Sequence, residues 1–181
     1  MKSYTAILRG INVAGQKKVK MTDLKTLYES MGFKNVVTYI QSGNIIFDSD
    51  IDEIENIKTQ IETGINHKYD FEVPVDVRTS AEFACILDVM PFDDIDLDVD
   101  GTKVLITFLS EQPSKSKKQA LQEYAKAPER LLFGDQCIYL HCPNGYGKTK
   151  LSNVFIENKL GMIATTRNLK SVTKLVELSK N

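Results

Sequence analysis

The chain has 181 residues, 42% of them hydrophobic and 26% charged, with a formal net charge of −1. A chain this long buries roughly 70% of its unfolded surface, so neither a disulfide framework nor a structural metal is required for folding. The near-zero charge excludes a global field that would hold the protein on nucleic acid or anionic lipid, so any anion site must be a local patch.

In chain order, Tyr4 to Arg9 reads as a β-strand, followed by the polar, glycine-containing stretch INVAGQKKVK. Met21, Leu24, Leu27 and Met31 then recur at helical spacing, with Thr22 as a candidate cap and Gly32 as a stop. Val36 to Ile40 and Ile45 to Phe47 are strand-like and flank the turn Q-S-G-N at Gln41 to Asn44, which predicts a hairpin with positive φ at Gly43. Ile51, Ile54, Ile57, Ile61 and Ile65 form a helical stripe, interrupted by Gly64 at a cost of about 1 kcal/mol relative to Ala. Val73 to Val77 is a further strand, and Pro74 suits an edge.

A helix over Ala81 to Met90 and an acidic loop come next, and the element order then repeats. Lys103 to Leu109 reads as a strand and Ser114 to Ala127 as a helix. Arg130 to Phe133 and Cys137 to His141 form a hairpin, Leu151 to Gly161 a helix, Met162 to Thr165 a short strand, and Leu169 to Val176 a final helix. The predicted class is α+β: two tandem ferredoxin-like (α/β-plait, βαββαβ) domains. They would occupy residues 1–79 and 103–181, the second with an extra C-terminal helix, joined by a helix and acidic connector at 80–102.

Three stretches carry a family resemblance: RGINVAGQKKVKM, TYIQSGNIIF, and GKTKLSNVFIENKLGMIATTRNLKSVTKL. Together they resemble a bacterial family known only as a domain of unknown function. The resemblance implies two α/β-plait domains in tandem and no particular activity. Ala14 stands where that pattern more often has Gly, and Leu169 where an aromatic residue is common.

Candidate chemistry lies in the loops. HCPNGYGKTK ends like a P-loop, but the first glycine of G-x-x-x-x-G-K-[ST] should fall at position 142, which is Cys142. A weaker anion site remains: Asn144, Lys148 and Lys150 beside Gly145 and Gly147, with backbone N–H groups facing outward at a helix N-terminus. The loop after the first strand offers Arg9, Asn12, Lys17, Lys18 and Lys20, suited to phosphate groups or an RNA backbone. Gln41, Ser42 and Asn44 supply further polar groups. Arg9, Asn12, Gln41, Asn44, Arg167 and Asn168 would form the lining of an inter-domain site if the protein is instead a small-molecule enzyme. A third reading is an interaction module using an open sheet face.

Asp96, Asp98, Asp100 and Gly101 open like an EF-hand loop, but position twelve is Thr107, so an acidic connector is expected. No C-x-x-C pair or H-E-x-x-H motif suggests a metal, and no motif names a cofactor. GNIIFD lacks the aromatic set of an RNA-reading sheet. The three cysteines and the absence of an apolar leader in MKSYTAILRG predict a cytoplasmic protein, and no stretch is apolar enough for a membrane helix. The expected partner is a phosphate-containing ligand or RNA, with no membrane.

Overall fold

The computed structural model describes residues 1–180. The chain divides into two compact units: residues 1–85 with the chain from Leu175 onward, and residues 86–174.

The first unit runs β1 (Lys2–Leu8), α1 (Met21–Ser30), β2 (Lys34–Tyr39), β3 (Asn44–Ser49), α2 (Ile54–Tyr69) and β4 (Val75–Thr79). Its strands pair in the order β2-β3-β1-β4, every neighbour antiparallel. Tyr4 lies opposite Phe47 and Ala6 opposite Ile45. Alternation along a strand then puts Tyr4, Ala6, Leu8, Ile45 and Phe47 on one face. That face packs with Leu24 and Tyr28 of α1 and Ile57, Ile61 and Ile65 of α2 in one core. Ile57, Ile61 and Ile65, fully withdrawn from water, contribute roughly 1.5–3 kcal/mol each.

Four aromatics knit this core. Phe47 stands 4.6 Å from Phe33 and 5.3 Å from Tyr28, ring centre to ring centre, and stacks on Tyr4 at 5.9 Å. Tyr4 and Phe47 are therefore core residues facing the helices and are not available to stack on bases. Gly64 faces Met31: a Cβ there would lie 2.7 Å from Met31 Sδ, so this flexible side chain would have to shift.

Two local features differ from the sequence reading. Thr22 does not cap α1; Lys20 holds the cap position, and no side chain caps it. At the edge strand β2, the pairing with β3 shifts register between Lys34 and Val37, with Asn35 at φ 50°. Pro74 directly precedes β4, the other edge strand, as its missing N–H requires.

α3 (Ser80–Asp88) leads from the first unit into the second. The second continues with α4 (Leu97–Asp100), β5 (Val104–Leu109), α5 (Lys115–Gln122), β6 (Arg130–Phe133), β7 (Cys137–His141), a 3-10 turn at Tyr146–Lys148, α6 (Asn153–Leu160) and β8 (Ala164–Asn168). α7 (Leu169–Leu178) begins in it and closes the described chain. The strand order is β6-β7-β5-β8, again wholly antiparallel. Leu105, Leu109, Leu121, Leu131, Ile138, Leu140, Ile156 and Leu160 form its core.

α5 stops at Gln122, earlier than expected. It buries only Leu121, and Pro128 disfavours helical backbone before it. The acidic stretch is not plain loop. Asp96 accepts from the N–H groups of Asp98 and Val99 and starts the single turn α4, so this carboxylate acts as a helix cap. β8 lies further along the chain than expected, which places Arg167 and Asn168 within a strand.

Candidate functional site

The stretch after β1 is built from left-handed backbone. Asn12, Ala14, Gly15 and Lys17 all have positive φ, between 44° and 77°. Asn tolerates this conformation better than most residues, and here its side chain uses it. Asn12 Oδ1 accepts from the Val19 N–H at 2.9 Å, while Nδ2 donates to Val19 O at 2.9 Å and to Gln41 O at 2.8 Å. The Asn12 N–H donates to Lys17 O and that of Gln16 to Val13 O, closing residues 13–18 into a small projecting loop.

The Q-S-G-N turn locks against the base of this loop. Gly43 has φ 77°, and a Cβ there would meet Ile11 Cδ1 at 2.6 Å and Leu8 Cβ at 2.8 Å. Leu8 N–H donates to Gly43 O at 2.8 Å. Asn44, fully buried, donates from Nδ2 to Tyr39 O and Ser42 Oγ, both at 3.0 Å. Arg9 comes directly after β1, and its N–H donates to Pro74 O. Thus Arg9, Asn12, Gln41, Ser42 and Asn44, predicted from two separate motifs, gather at one end of the first sheet. Asn12 and Asn44 serve there as ties between backbone segments.

Beside this junction, at the N-terminus of α1, lies a cleft of about 620 Å³ lined by Lys18, Lys20, Thr22, Asp23, Gln41 and Tyr69 among others. The first N–H groups of a helix lack intrahelical partners and carry the positive end of its dipole. No side chain caps them in α1. Lys18 and Lys20 are exposed. The Tyr69 hydroxyl is buried with no hydrogen-bond partner in the structure. Burial, and then the Asp23 carboxylate, hold its phenol above the ordinary value, so it stays protonated and able to donate.

Lys17, by contrast, donates from Nζ to Glu72 O at 2.6 Å and sits 5.9 Å from the centre of the Phe71 ring. Sequence reasoning missed Thr22, Asp23 and Tyr69. Tyr69 carried a readable signal, since it stands four residues after Ile65 and continues the apolar stripe with a polar-tipped ring.

The second predicted loop is built otherwise. GKT lies in and just after the 3-10 turn, not at a helix start. The Gly145 N–H donates to Cys142 O, Lys148 N–H to Gly145 O, and Thr149 N–H to Tyr146 O. α6 begins at Asn153, with Ser152 Oγ accepting from the Phe155 N–H. The Gly145, Lys148 and Thr149 N–H groups are thus engaged in the turn itself. β7 runs antiparallel to both neighbours, which rules out a P-loop's parallel setting. Asn144, Lys148 and Lys150 are exposed. The two loops also differ in position, one joining β1 to α1 and the other β7 to α6.

Arg167 donates from Nη1 to Thr166 O at 2.9 Å, and Asn168 Oδ1 accepts from the Ser171 N–H at 2.8 Å, capping α7.

Residues 1–139 match the model of a family described as a protein of unknown function, DUF1697. The chain belongs to the DUF1697 family. The DUF1697 match includes the β1–α1 loop and the Q-S-G-N turn and ends before HCPNGYGKTK. The solved structure of a conserved bacterial protein from Streptococcus pneumoniae is similar over 98% of both chains, with 26% identity and a TM-score of 0.77. Comparison with curated proteins gives no significant match.

Proposed function

We propose that this DUF1697 protein binds a phosphate-containing anion in the cleft at the N-terminus of α1. The observation that carries the reading is the convergence of two donor types in one cleft of the first unit, the uncapped α1 N–H groups and Lys18 and Lys20, with Tyr69, whose buried hydroxyl has no partner, in its wall. Hydrogen bonds to a charged group contribute about 1.5–3 kcal/mol each, and the dipole adds about 0.3–1 kcal/mol. Asp23 opposes the two lysines, so affinity depends on directed donors more than on bulk charge.

In this reading Arg9, Asn12, Gln41, Ser42 and Asn44 hold the loop and turn that shape the cleft, and Lys17 anchors the loop's far side. Asn144, Lys148, Lys150, Arg167 and Asn168 take no part. The cleft's volume falls in the range of small-molecule sites, which favours a small phosphate compound over RNA.

The fold proposed for each unit is ferredoxin-like, supported by the shared strand orders and by βαββαβ occurring in both. A cytoplasmic setting is supported by the three free thiols at Cys85, Cys137 and Cys142. No helix among the described residues is long and apolar enough to cross a membrane.

A thermal-shift panel of inorganic phosphate, sugar phosphates, nucleotides and a short RNA tests the site. A ligand at about 100 times its Kd stabilises by about 2.7 kcal/mol, which raises Tm by about 5–10 °C for a chain this size. The rise should vanish in Lys18→Ala/Lys20→Ala and persist in Lys148→Ala/Lys150→Ala. A flat panel, or equal loss in both variants, overturns the assignment. An RNA-only response with a steep salt dependence would transfer the site to nucleic acid.

A further inference from the structure

Within the second unit, one arginine joins three groups from two segments. Arg130, at the start of β6, approaches His141 Nδ1 with Nη2 at 2.8 Å and Nε at 3.3 Å. It donates from Nη1 to Asp94 Oδ1 at 2.9 Å, and its guanidinium lies 4.7 Å from the centre of the Phe92 ring. Phe92 is 4% exposed and its ring centre is 6.0 Å from that of His141. Phe92 and Asp94 belong to the segment between α3 and α4. Arg130 thus fastens that segment to the β6–β7 hairpin.

The chemistry of this contact fixes the state of the histidine. A guanidinium only donates, so Nδ1 must present a lone pair and the proton sits on Nε2. The ring is neutral. Nε2 is buried and has no hydrogen-bond partner. A proton added at Nδ1 replaces the acceptor with a donor and sets a second positive charge against the guanidinium.

We propose that the Arg130–His141 contact is an acid-sensitive clasp, closed when His141 is neutral and released with the Phe92–Asp94 segment when His141 is protonated. The charged groups around the imidazole are Arg130 on β6, Asp94 on the fastened segment, Asp100 on α4 and Lys103 before β5. Lys103 is itself 3.3 Å from the Asp100 carboxylate. Burial first, then Arg130, hold the imidazole below its ordinary value, with the two aspartates opposing. The unfolded chain therefore takes up this proton at higher pH than the folded one. The clasp's contribution is complete above the ordinary histidine range near 6.5 and declines as pH falls below it.

Amide hydrogen exchange of residues 92–100 in the intact protein between pH 7.5 and 5.0, corrected for intrinsic rates, tests the clasp. NMR titration of His141 is run alongside, with exposed His67 replaced by Gln to leave one imidazole. Protection should fall at least ten-fold across the titration of His141. In His141→Asn, whose Oδ1 takes the place of Nδ1 as a non-titrating acceptor, it should stay constant. Arg130→Lys, which cannot reach Nδ1 and Asp94 together, should lack protection already at pH 7.5. If His141→Asn does not fold, the Arg130→Lys comparison decides. Three outcomes overturn the clasp: protection unchanged while His141 titrates, His141→Asn opening like the parent, or Arg130→Lys as protected as the parent at pH 7.5.

Discussion

Residues 9–20 and 142–152 are both lysine-bearing, glycine-containing links from a strand to a helix, yet their backbones are arranged in opposite ways. In the first, the Asn12 side chain gathers the loop into a fold-back and leaves the α1 N-terminus uncapped beside a cleft. In the second, the turn uses its own N–H groups, and Ser152 caps α6. Similar composition therefore does not make two anion sites. What separates them is where the unpartnered donors fall, and that depends on a single asparagine and a single cap.

The largest expected effect is chemical and lies where the second loop leaves β7. Burial pushes the Cys142 thiol up to about 11, with the Glu129 charge adding to it and Thr149 partly offsetting it. At pH 8 about one molecule in a thousand carries the thiolate there. Alkylation and mass spectrometry should show exposed Cys85 modified in the native protein and Cys142 unmodified until denaturant is added. Native labelling of Cys142 at a rate like that of Cys85 would show that this loop is open.

Next comes glycine replacement in the two regions. Gly43→Ala should cost about 2–4 kcal/mol, because φ is positive and the new methyl meets Leu8 Cβ, an atom no rotation can move aside. Gly145→Ala has the backbone penalty alone, about 1–3 kcal/mol at φ 96° and ψ 142°, since nothing lies within 4 Å. Urea unfolding measures both; a loss under about 1 kcal/mol in Gly43→Ala would contradict the locking role of the Q-S-G-N turn.

Asn12→Ala should cost about 2–3 kcal/mol by urea unfolding, since three hydrogen bonds and a tolerated left-handed residue are lost together. It should also weaken phosphate binding although Asn12 supplies no charge. Ala14→Gly has the smallest effect, a gain of up to about 1 kcal/mol. Ala14 is left-handed at φ 49°, exposed and at the loop tip, where glycine relieves backbone strain. A measurable loss would mean that the methyl group makes a contact of its own.

Elements with a strong period were legible in the sequence: the isoleucine stripe, the Q-S-G-N hairpin and the strands of both sheets apart from the bounds of β8. α5 was read too long because its face buries little, so packing gives its last turns no reason to persist. The predicted polar residues of the first unit do gather in space, since both motifs sit at the same end of neighbouring strands. Their roles were less legible. Asn12 and Asn44 have the chemistry of ligands, but the same chemistry holds backbone together, and only the folded arrangement distinguishes the two. Thr22, Asp23 and Tyr69 were missed because α1 starts one residue before its apparent cap and α2 brings its last residue to that place.

The register shift in β2 also changes what this edge of the sheet offers to another strand. A free strand edge is a template, and a second chain adds to it only if its donors and acceptors match in step. Here the step is broken between Lys34 and Val37, and an exposed lysine stands at the entry. A strand added along this edge could match only part of its length, which makes β2 a poor template for edge-to-edge pairing.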